Sequence, residues 1–466
     1  MSRLIVVSNR VNPPTGKGEE SVGGLAMALA AALREYSGIW FGWSGKIAPE
    51  FTGQIQMQRT EGVTVATIDL EEADYQEYYN GFANKTLWPL CHYRIDLAEY
   101  DRAFGEGYDR VNCRFAETLR PLIEPDDIIW VHDYHLIPLG RELRRLGVKN
   151  RIGFFLHVPW PAHQLVATLP RHRELVQSLF DYDLVGFQTE ENLQAFEEYV
   201  AAEVSGDKLS GGRLRAFGRT LKVGAFPIGI DAPEFAQIVR SPRARRMHDI
   251  MSAHTVFRSL IVGVDRLDYS KGLEERFLGF DRFLADNPDL RREVLMLQVA
   301  PVSREGVEAY QEIRARLDAL SGRINGEYAD MDWNPIRYVN RNYRRDELAG
   351  LYRAARVGLV TPLRDGMNLV AKEFIAAQNP DDPGVLVLSR FAGAAHQLKE
   401  ALLVNPNSAD EISEALKRAL SMDQQERIRR WRALFENVSR EDVTAWRDSF
   451  VHALADVKER RTALAS

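Results

Sequence analysis

Residues 260–272, LIVGVDRLDYSKG, read as a strand followed by the loop that leaves it. Leu260 to Val264 is apolar without polar alternation, the pattern of a strand buried on both faces in a parallel sheet. The loop carries Arg266 and Lys271 and opens the next helix. The same succession recurs along the chain, with short apolar, β-branched runs alternating with longer amphipathic stretches. Candidate strands before this one are Leu4 to Ser8, Ile39 to Trp43, Val63 to Ile68, Ile128 to His132, Ile152 to Leu156, Leu184 to Phe187 and Leu221 to Phe226. After it come Val294 to Val299, Ile336 to Val339, Gly358 to Val360 and Val385 to Leu388. The fold class is therefore α/β.

At 466 residues the chain exceeds one ordinary core, so two domains are expected. Asp231 to Thr255 is polar, contains Pro233 and Pro242 and has no strand character, which makes it the linker candidate. Beyond Val404 the chain reads as helical and could pack back across that linker. The expected boundaries are an N-terminal domain over 1–235, a C-terminal domain over 236–435 and a returning helix over 436–466. Facing parallel sheets form a cleft at the carboxyl ends of their strands, so functional residues should lie just after strands.

Composition narrows the classes. Apolar residues make up 45 % and charged residues 27 %, as in globular proteins, and no repeats or low-complexity tracts occur. No apolar run reaches the ~20 residues of a membrane span, and MSRLIVVSNR lacks a signal-peptide core, which predicts a cytoplasmic protein. A formal charge of -6 gives no nucleic-acid footprint, and the basic SPRARRMH segment is short. Cys91 and Cys113 suggest two reduced thiols rather than zinc or a disulfide.

Several strand exits carry chemistry. Arg266 offers a planar fork and Lys271 a point charge, together able to hold a pyrophosphate leaving group without a metal. A solvated loop with an Asp–Arg ion pair is the plain alternative. VHDYHLIP and HVPWP place Asp133 and His157 at equivalent exits, and Arg304 follows Val294 to Val299. Gly23 and Gly24 open an Ala- and Leu-rich helix behind Arg10, where backbone could approach a phosphate. TPLRDGMNLVAKE brings Asp365, Gly366 and Asn368 before a helix with Glu373, which lies about two turns along the same face. Asp365 could equally be an N-cap and Glu373 a solvated residue. Tyr78, Tyr79, Trp88, His92 and Tyr93 could stack on a sugar or fill a core. DYD at Asp181 and DMD at Asp330 are decoys for a metal-binding aspartate pair, because neither forms the exit of a suitable strand. No metal is expected, and the sequence has no Walker loop, thiol–histidine pair or GxGxxG after the first strand.

In chain order, SNR, GGL, WFGWSG, YYN, LWP, HDYHL, GFFLHVPWP, DLVGFQT, PIGI, RLDYSKG, GRING and TPLRDGMNLVAKE resemble the trehalose-6-phosphate synthase family over nearly the whole length. The resemblance implies a GT-B fold, two Rossmann-like domains facing a deep cleft. It implies retaining transfer of glucose from UDP-glucose to glucose 6-phosphate, with no cofactor and a homodimer or homotetramer. By the same resemblance, Arg10, Tyr79, Trp88, Asp133 and Arg304 hold the acceptor. Gly23, Gly24, Arg266, Lys271, Tyr343, Asp365, Gly366, Met367, Asn368, Leu369, Val370 and Glu373 hold the nucleotide sugar, with His157 against the transferred glucose. Arg266, Lys271, His157, Asp133 and Asp365 are the catalytic candidates. Trp160 stands where Phe is frequent in the family, and the NPPTGKGEES loop varies in length among relatives. Two alternatives stand beside this reading: a sister transferase using ADP- or GDP-glucose or a glycerol phosphate, and a silent subunit that senses sugar phosphates.

Overall fold

The structure, a computed structural model, describes residues 3–11, 33, 38–60, 63–304 and 306–457. Its strands form two sheets. The first contains β1 (Leu4–Arg10), β2 (Ile39–Ala48), β3 (Gln56–Thr60), β4 (Val63–Glu71), β5 (Ile128–His132), β6 (Arg151–Phe155), β7 (Leu184–Phe187), β8 (Asp207–Leu209), β9 (Arg213–Ala216) and β10 (Arg219–Ala225). Their order is β3-β4-β2-β1-β5-β6-β7-β10-β9-β8. The stretch from β4 to β10 is parallel, while β3 pairs antiparallel with β4, and β9 pairs antiparallel with β10 and β8.

The second sheet is wholly parallel: β11 (Ser259–Val264), β12 (Val294–Val299), β13 (Ile336–Val339), β14 (Val357–Val360), β15 (Val385–Ser389) and β16 (Leu402–Val404), ordered β13-β12-β11-β14-β15-β16. This is the doubly wound order, and its winding reverses between β11 and β14. The first sheet reverses between β1 and β5. Crevices at such reversals are where open α/β sheets bind ligands.

Four short strands escape the sequence reading, for a physical reason. QMQRT and DKL are polar edge strands with little to bury, RLRA is four residues long with two of them arginine, and β16 has only three residues. The linker candidate is helical: α1 (Ala232–Ile238) is capped by Asp231 and α2 (Pro242–His254) by Ser241. Pro233 and Pro242 thus sit in first turns, where a missing N–H is tolerated. A Cβ on Gly350 would lie 2.1 Å from Ala244 O, so α2 packs tightly on the helix Arg345–Ala354 beside the second sheet.

Four further helices matter here: α3 (Leu273–Asp286), α4 (Leu369–Ala377), α5 (Gln424–Arg440) and α6 (Val443–Ala455). The last returns to the first sheet, where Phe450 stacks on Trp130 with ring centroids 4.7 Å apart and Trp446 packs against Phe155. One buried cluster thereby joins Val6, Trp130 and Phe155 to Val262 and Val360 through Ile228, Phe235 and Phe450. Among the described residues, no helix is long and apolar enough to cross a membrane.

Candidate active site at the two sheet reversals

Asp133 follows β5 directly, with φ 76° and ψ 165°. That backbone region is almost restricted to glycine, so tertiary contacts must hold it there. Its N–H donates to Phe155 O at 2.8 Å, and its Oδ1 accepts from His157 N at 3.2 Å, locking the β5 and β6 exits together. Burial pushes the carboxyl up to about 6, against the pull of the Tyr134 and His157 backbone N–H groups, Arg304 and Arg266. His157 pairs Nε2 with His132 Nδ1 at 3.0 Å, and burial lowers it to about 3, so the imidazole is neutral.

The aromatic segment winds as a 13-residue π-helix, Tyr75–Leu87, followed by Trp88. Such wide turns are rare and concentrate at functional sites. Tyr78 donates to Asn9 Oδ1 at 2.7 Å, while Tyr79 stacks on His135 and Tyr75. Trp88 is buried, and its indole N–H has no hydrogen-bond partner among the described residues. Arg304, itself at φ 52°, lays its guanidinium 3.9 Å from the Trp88 centroid and donates to Tyr134 Oη at 3.1 Å. Tyr310, on the helix Glu308–Tyr328, supports it, donating to Asp268 Oδ2 at 3.0 Å. Burial would raise Asp268, but Arg304, Arg266 and Lys271 outweigh it and hold it at about 2. Asp268 therefore stays ionised and anchors the cations around it.

Arg266 is exposed, 5.7 Å from the Trp88 centroid. Lys271 lies in the turn Tyr269–Lys271, and its Nζ donates to Asp365 Oδ2 at 2.5 Å. Gly272 ends that turn at φ +61°, where a Cβ would also fall 2.2 Å from Thr361 O. Only glycine fits, and the β11 and β14 exits meet there.

The geometry corrects the spacing argument for Asp365 and Glu373. Asp365 lies in the loop before α4, bridging to Ala392, and Asn368 is the N-cap of α4, accepting from Ala371 N. The two carboxylates therefore do not share a helix face: one pairs with Lys271, the other lies 4.0 Å from Arg345 Nε. Burial lifts Glu373 to about 7, with Arg345 opposing and Glu234 adding to the rise. Met367 is buried, its carbonyl accepting from Ala394 N, and Leu369 and Val370 pack on the core. Gly366 meets the first sheet, since a Cβ there would lie 2.0 Å from His157 O.

The structure thus brings Trp88, Arg266 and Arg304 together, Lys271 with Asp365, and His157 with Asp133 and Gly366. Arg10 lies beside Gly45 and Trp43 at the β1 exit, and Tyr343 lies under Arg341, at the β13 side. Gly23 and Gly24 fall outside the described residues. Asp268, Tyr134 and Tyr310 escaped the sequence reading, although the first two stand inside RLDYSKG and HDYHL. The decoy aspartates are ion-paired: Asp181 with Arg219, Asp330 and Asp332 with Arg292. A separate cavity of about 600 Å³, lined by Phe82, Tyr108, Arg141 and Arg171, contains none of the candidate residues.

Comparison with known proteins agrees with this fold. The chain is 50 % identical to the trehalose-6-phosphate synthase of Sinorhizobium fredii over 462 residues, covering 99 % of this chain and 100 % of the relative. An α,α-trehalose-phosphate synthase (UDP-forming) from Burkholderia xenovorans, in complex with glucose-6-phosphate, superposes with a TM-score of 0.94 at 51 % identity, covering 97 % of this chain and 100 % of that one. A trehalose-6-phosphate structure from E. coli bound with UDP-2-fluoro glucose gives 0.94 at 44 % identity, covering 98 % and 100 %. The fold is that of these GT-B enzymes. The sequence profile of glycosyltransferase family 20 matches residues 2–456, nearly all of the paired sheets and the returning helix, and the chain belongs to that family.

Proposed function

We propose that the chain transfers glucose from UDP-glucose to glucose 6-phosphate with retention, giving α,α-trehalose 6-phosphate and UDP. The carrying observation is the clustering of Arg304, Trp88 and Arg266 between the two sheets, beside Lys271 and Asp365. In this reading Arg10, Tyr79, Trp88, Asp133 and Arg304 bind the acceptor, the unpartnered Trp88 N–H being free to donate to it. Gly23, Gly24, Tyr343, the 365–370 loop and Glu373 bind the nucleotide sugar, with His157 against its glucose.

Arg266 and Lys271 face the diphosphate. Lys271 has three N–H donors and spends one on Asp365, which leaves two for phosphate oxygens. As the bond from glucose C1 to the phosphate oxygen breaks, negative charge grows on UDP, and these cations stabilise it most in the transition state. The acceptor's anomeric hydroxyl oxygen bonds to C1 on the same face, and its proton passes to the departing phosphate oxygen. No flanking carboxylate pair of the double-displacement kind is required. Because two fixed cations supply the charge, the reading needs no metal. A cytoplasmic homodimer or homotetramer, with acceptor domain 1–235, donor domain 236–435 and returning segment 436–466, completes it.

The test is UDP release from UDP-glucose with glucose 6-phosphate or glycerol 3-phosphate as acceptor, repeated with ADP- and GDP-glucose. A strong preference for glycerol 3-phosphate, or ligand binding without turnover, would overturn the assignment.

A further inference from the structure

A buried polar chain runs from the first sheet to the second through the segment that joins them. Ile228, between β10 and α1, donates its N–H to Gln188 Oε1 at 3.0 Å. A backbone N–H can only donate, so this bond fixes the orientation of the Gln188 amide and turns its NH₂ toward His157. Gln188 Nε2 lies 3.3 Å from His157 Nδ1. That nitrogen must accept, so the single proton of the neutral ring sits on Nε2. His157 Nε2 then donates to His132 Nδ1 at 3.0 Å, which puts the His132 proton on Nε2. Among the described residues His132 Nε2 is buried with no hydrogen-bond partner, among the rings of Trp130, Phe155 and Trp446. The chain of described groups ends there.

The carbonyl of the same residue, in the following peptide, is anchored in the second sheet's half. Lys372 Nζ, fully buried on α4 next to Glu373, donates to Ile228 O at 2.7 Å and to Gln397 Oε1 at 2.7 Å. The residue whose N–H orients Gln188 is therefore held from both sides of the cleft.

We propose that Gln188 is a positioning residue for glucosyl transfer: through the Ile228 peptide it locks His157 in the Nε2–H tautomer and so sets which edge of the ring is donor and which is acceptor. The functional half of this inference rests on the placement of His157 against the transferred glucose. Orientation by an outer partner is a familiar way to fix a histidine tautomer.

Histidine labelled with ¹⁵N reports the tautomer directly by two-bond proton correlation, with His157 assigned by the signals lost in His157→Gln. Wild type should show Nε2 protonated and Nδ1 bare. Gln188→Glu, whose carboxylate only accepts, should reverse the pattern and, by shifting the ring from its place against the transferred glucose, raise the KM for UDP-glucose roughly tenfold. The KM for glucose 6-phosphate should stay put, while the unfolding midpoint falls because the new carboxylate is buried. Gln188→Met, with neither donor nor acceptor, should give mixed tautomers and a smaller rise. A wild-type Nδ1–H tautomer, or an unreversed Gln188→Glu, overturns the assignment; reversal without a change in donor KM overturns its role in transfer. Wild-type protein with the expected tautomer but no activity on these substrates would instead sink the proposed reaction and leave the tautomer lock standing.

Discussion

Asp133 combines two unfavourable features, a glycine-like backbone and a buried carboxyl lifted to about 6. Holding such a backbone costs on the order of 1–3 kcal/mol. The raised value also has a stability sign: the folded state holds this proton more tightly than the unfolded chain. Its contribution is fully present below the unfolded value, ~4, and is lost as pH rises through about 6. In the proposed role, accepting hydrogen bonds from sugar hydroxyls, the ionised carboxylate is the stronger acceptor. The KM for glucose 6-phosphate should therefore rise as pH falls through about 6. Initial rates between pH 5 and 8 check this, and Asp133→Asn separates the carboxyl from the substrate phosphate, which titrates nearby. The variant should start with a raised KM and lose the carboxyl's share of the pH dependence; an unchanged profile would exonerate Asp133. Arg266 presents the opposite case, an exposed side chain whose guanidinium lies 5.7 Å from the Trp88 centroid. Arg266→Ala should lower kcat by about 10²–10³-fold while stability moves by no more than about 0.5 kcal/mol. Near-normal turnover would remove it from the reaction.

Helix α6 ties the end of the described chain to the first sheet. Phe450 is fully buried, stacked on Trp130, and Gly153 and Gly186 leave room for it: a Cβ on either would come within 2.8 Å of its ring. Truncation to alanine leaves a cavity that backbone-packed neighbours cannot fill, so Phe450→Ala should cost about 3–5 kcal/mol in urea unfolding. A loss below about 1 kcal/mol would mean that α6 contributes little to the fold. The sequence read the tail as helical and able to pack back across the linker. It also revealed the strands that are buried on both faces, since a short, continuous run of apolar β-branched residues must be covered from both sides. Edge strands such as QMQRT carry no such signal. The prolines of the 231–255 segment read as breakers, yet they open helices. At the site, Arg10, Asp133, His157, Arg266, Lys271, Arg304 and Asp365 were legible as strand exits, whereas Tyr343, after Ile336–Val339, came only from the resemblance. The clamp around Arg304 was not legible: Tyr134, Tyr310 and Asp268 gain their meaning from neighbours up to 170 positions apart in sequence. Aromatic residues alone read as core, and the spacing from Asp365 to Glu373 misled because the helix begins only at Leu369.

Across the whole molecule, contacts between the halves concentrate at the cleft. Arg364 places its guanidinium 3.8 Å from the Tyr93 centroid and 3.4 Å from Glu191, Arg94 lies over Tyr269, and Arg304 reaches Tyr134. Exposed ion pairs among these contribute little on their own. The tightest approach is backbone to backbone, where Gly366 faces the His157 carbonyl. Any side chain at 366 would place Cβ 2.0 Å from that oxygen, far inside contact distance, and neither partner can swing away as a flexible side chain could. Gly366→Ala should therefore leave each sheet intact but prevent the halves from reaching this closed arrangement. Reacting groups contributed by both sheets would then stand apart, and small misplacements of such groups already cost about 10²-fold in rate. The expected result is a loss of at least about 10² in kcat/KM with an unfolding midpoint close to wild type. In X-ray scattering with both substrates present, the variant should keep a larger radius of gyration than wild type under the same conditions. Full turnover in Gly366→Ala would show that catalysis does not require the contact, and that the cleft works in a more open geometry than the one in which Arg304, Lys271 and His157 meet here.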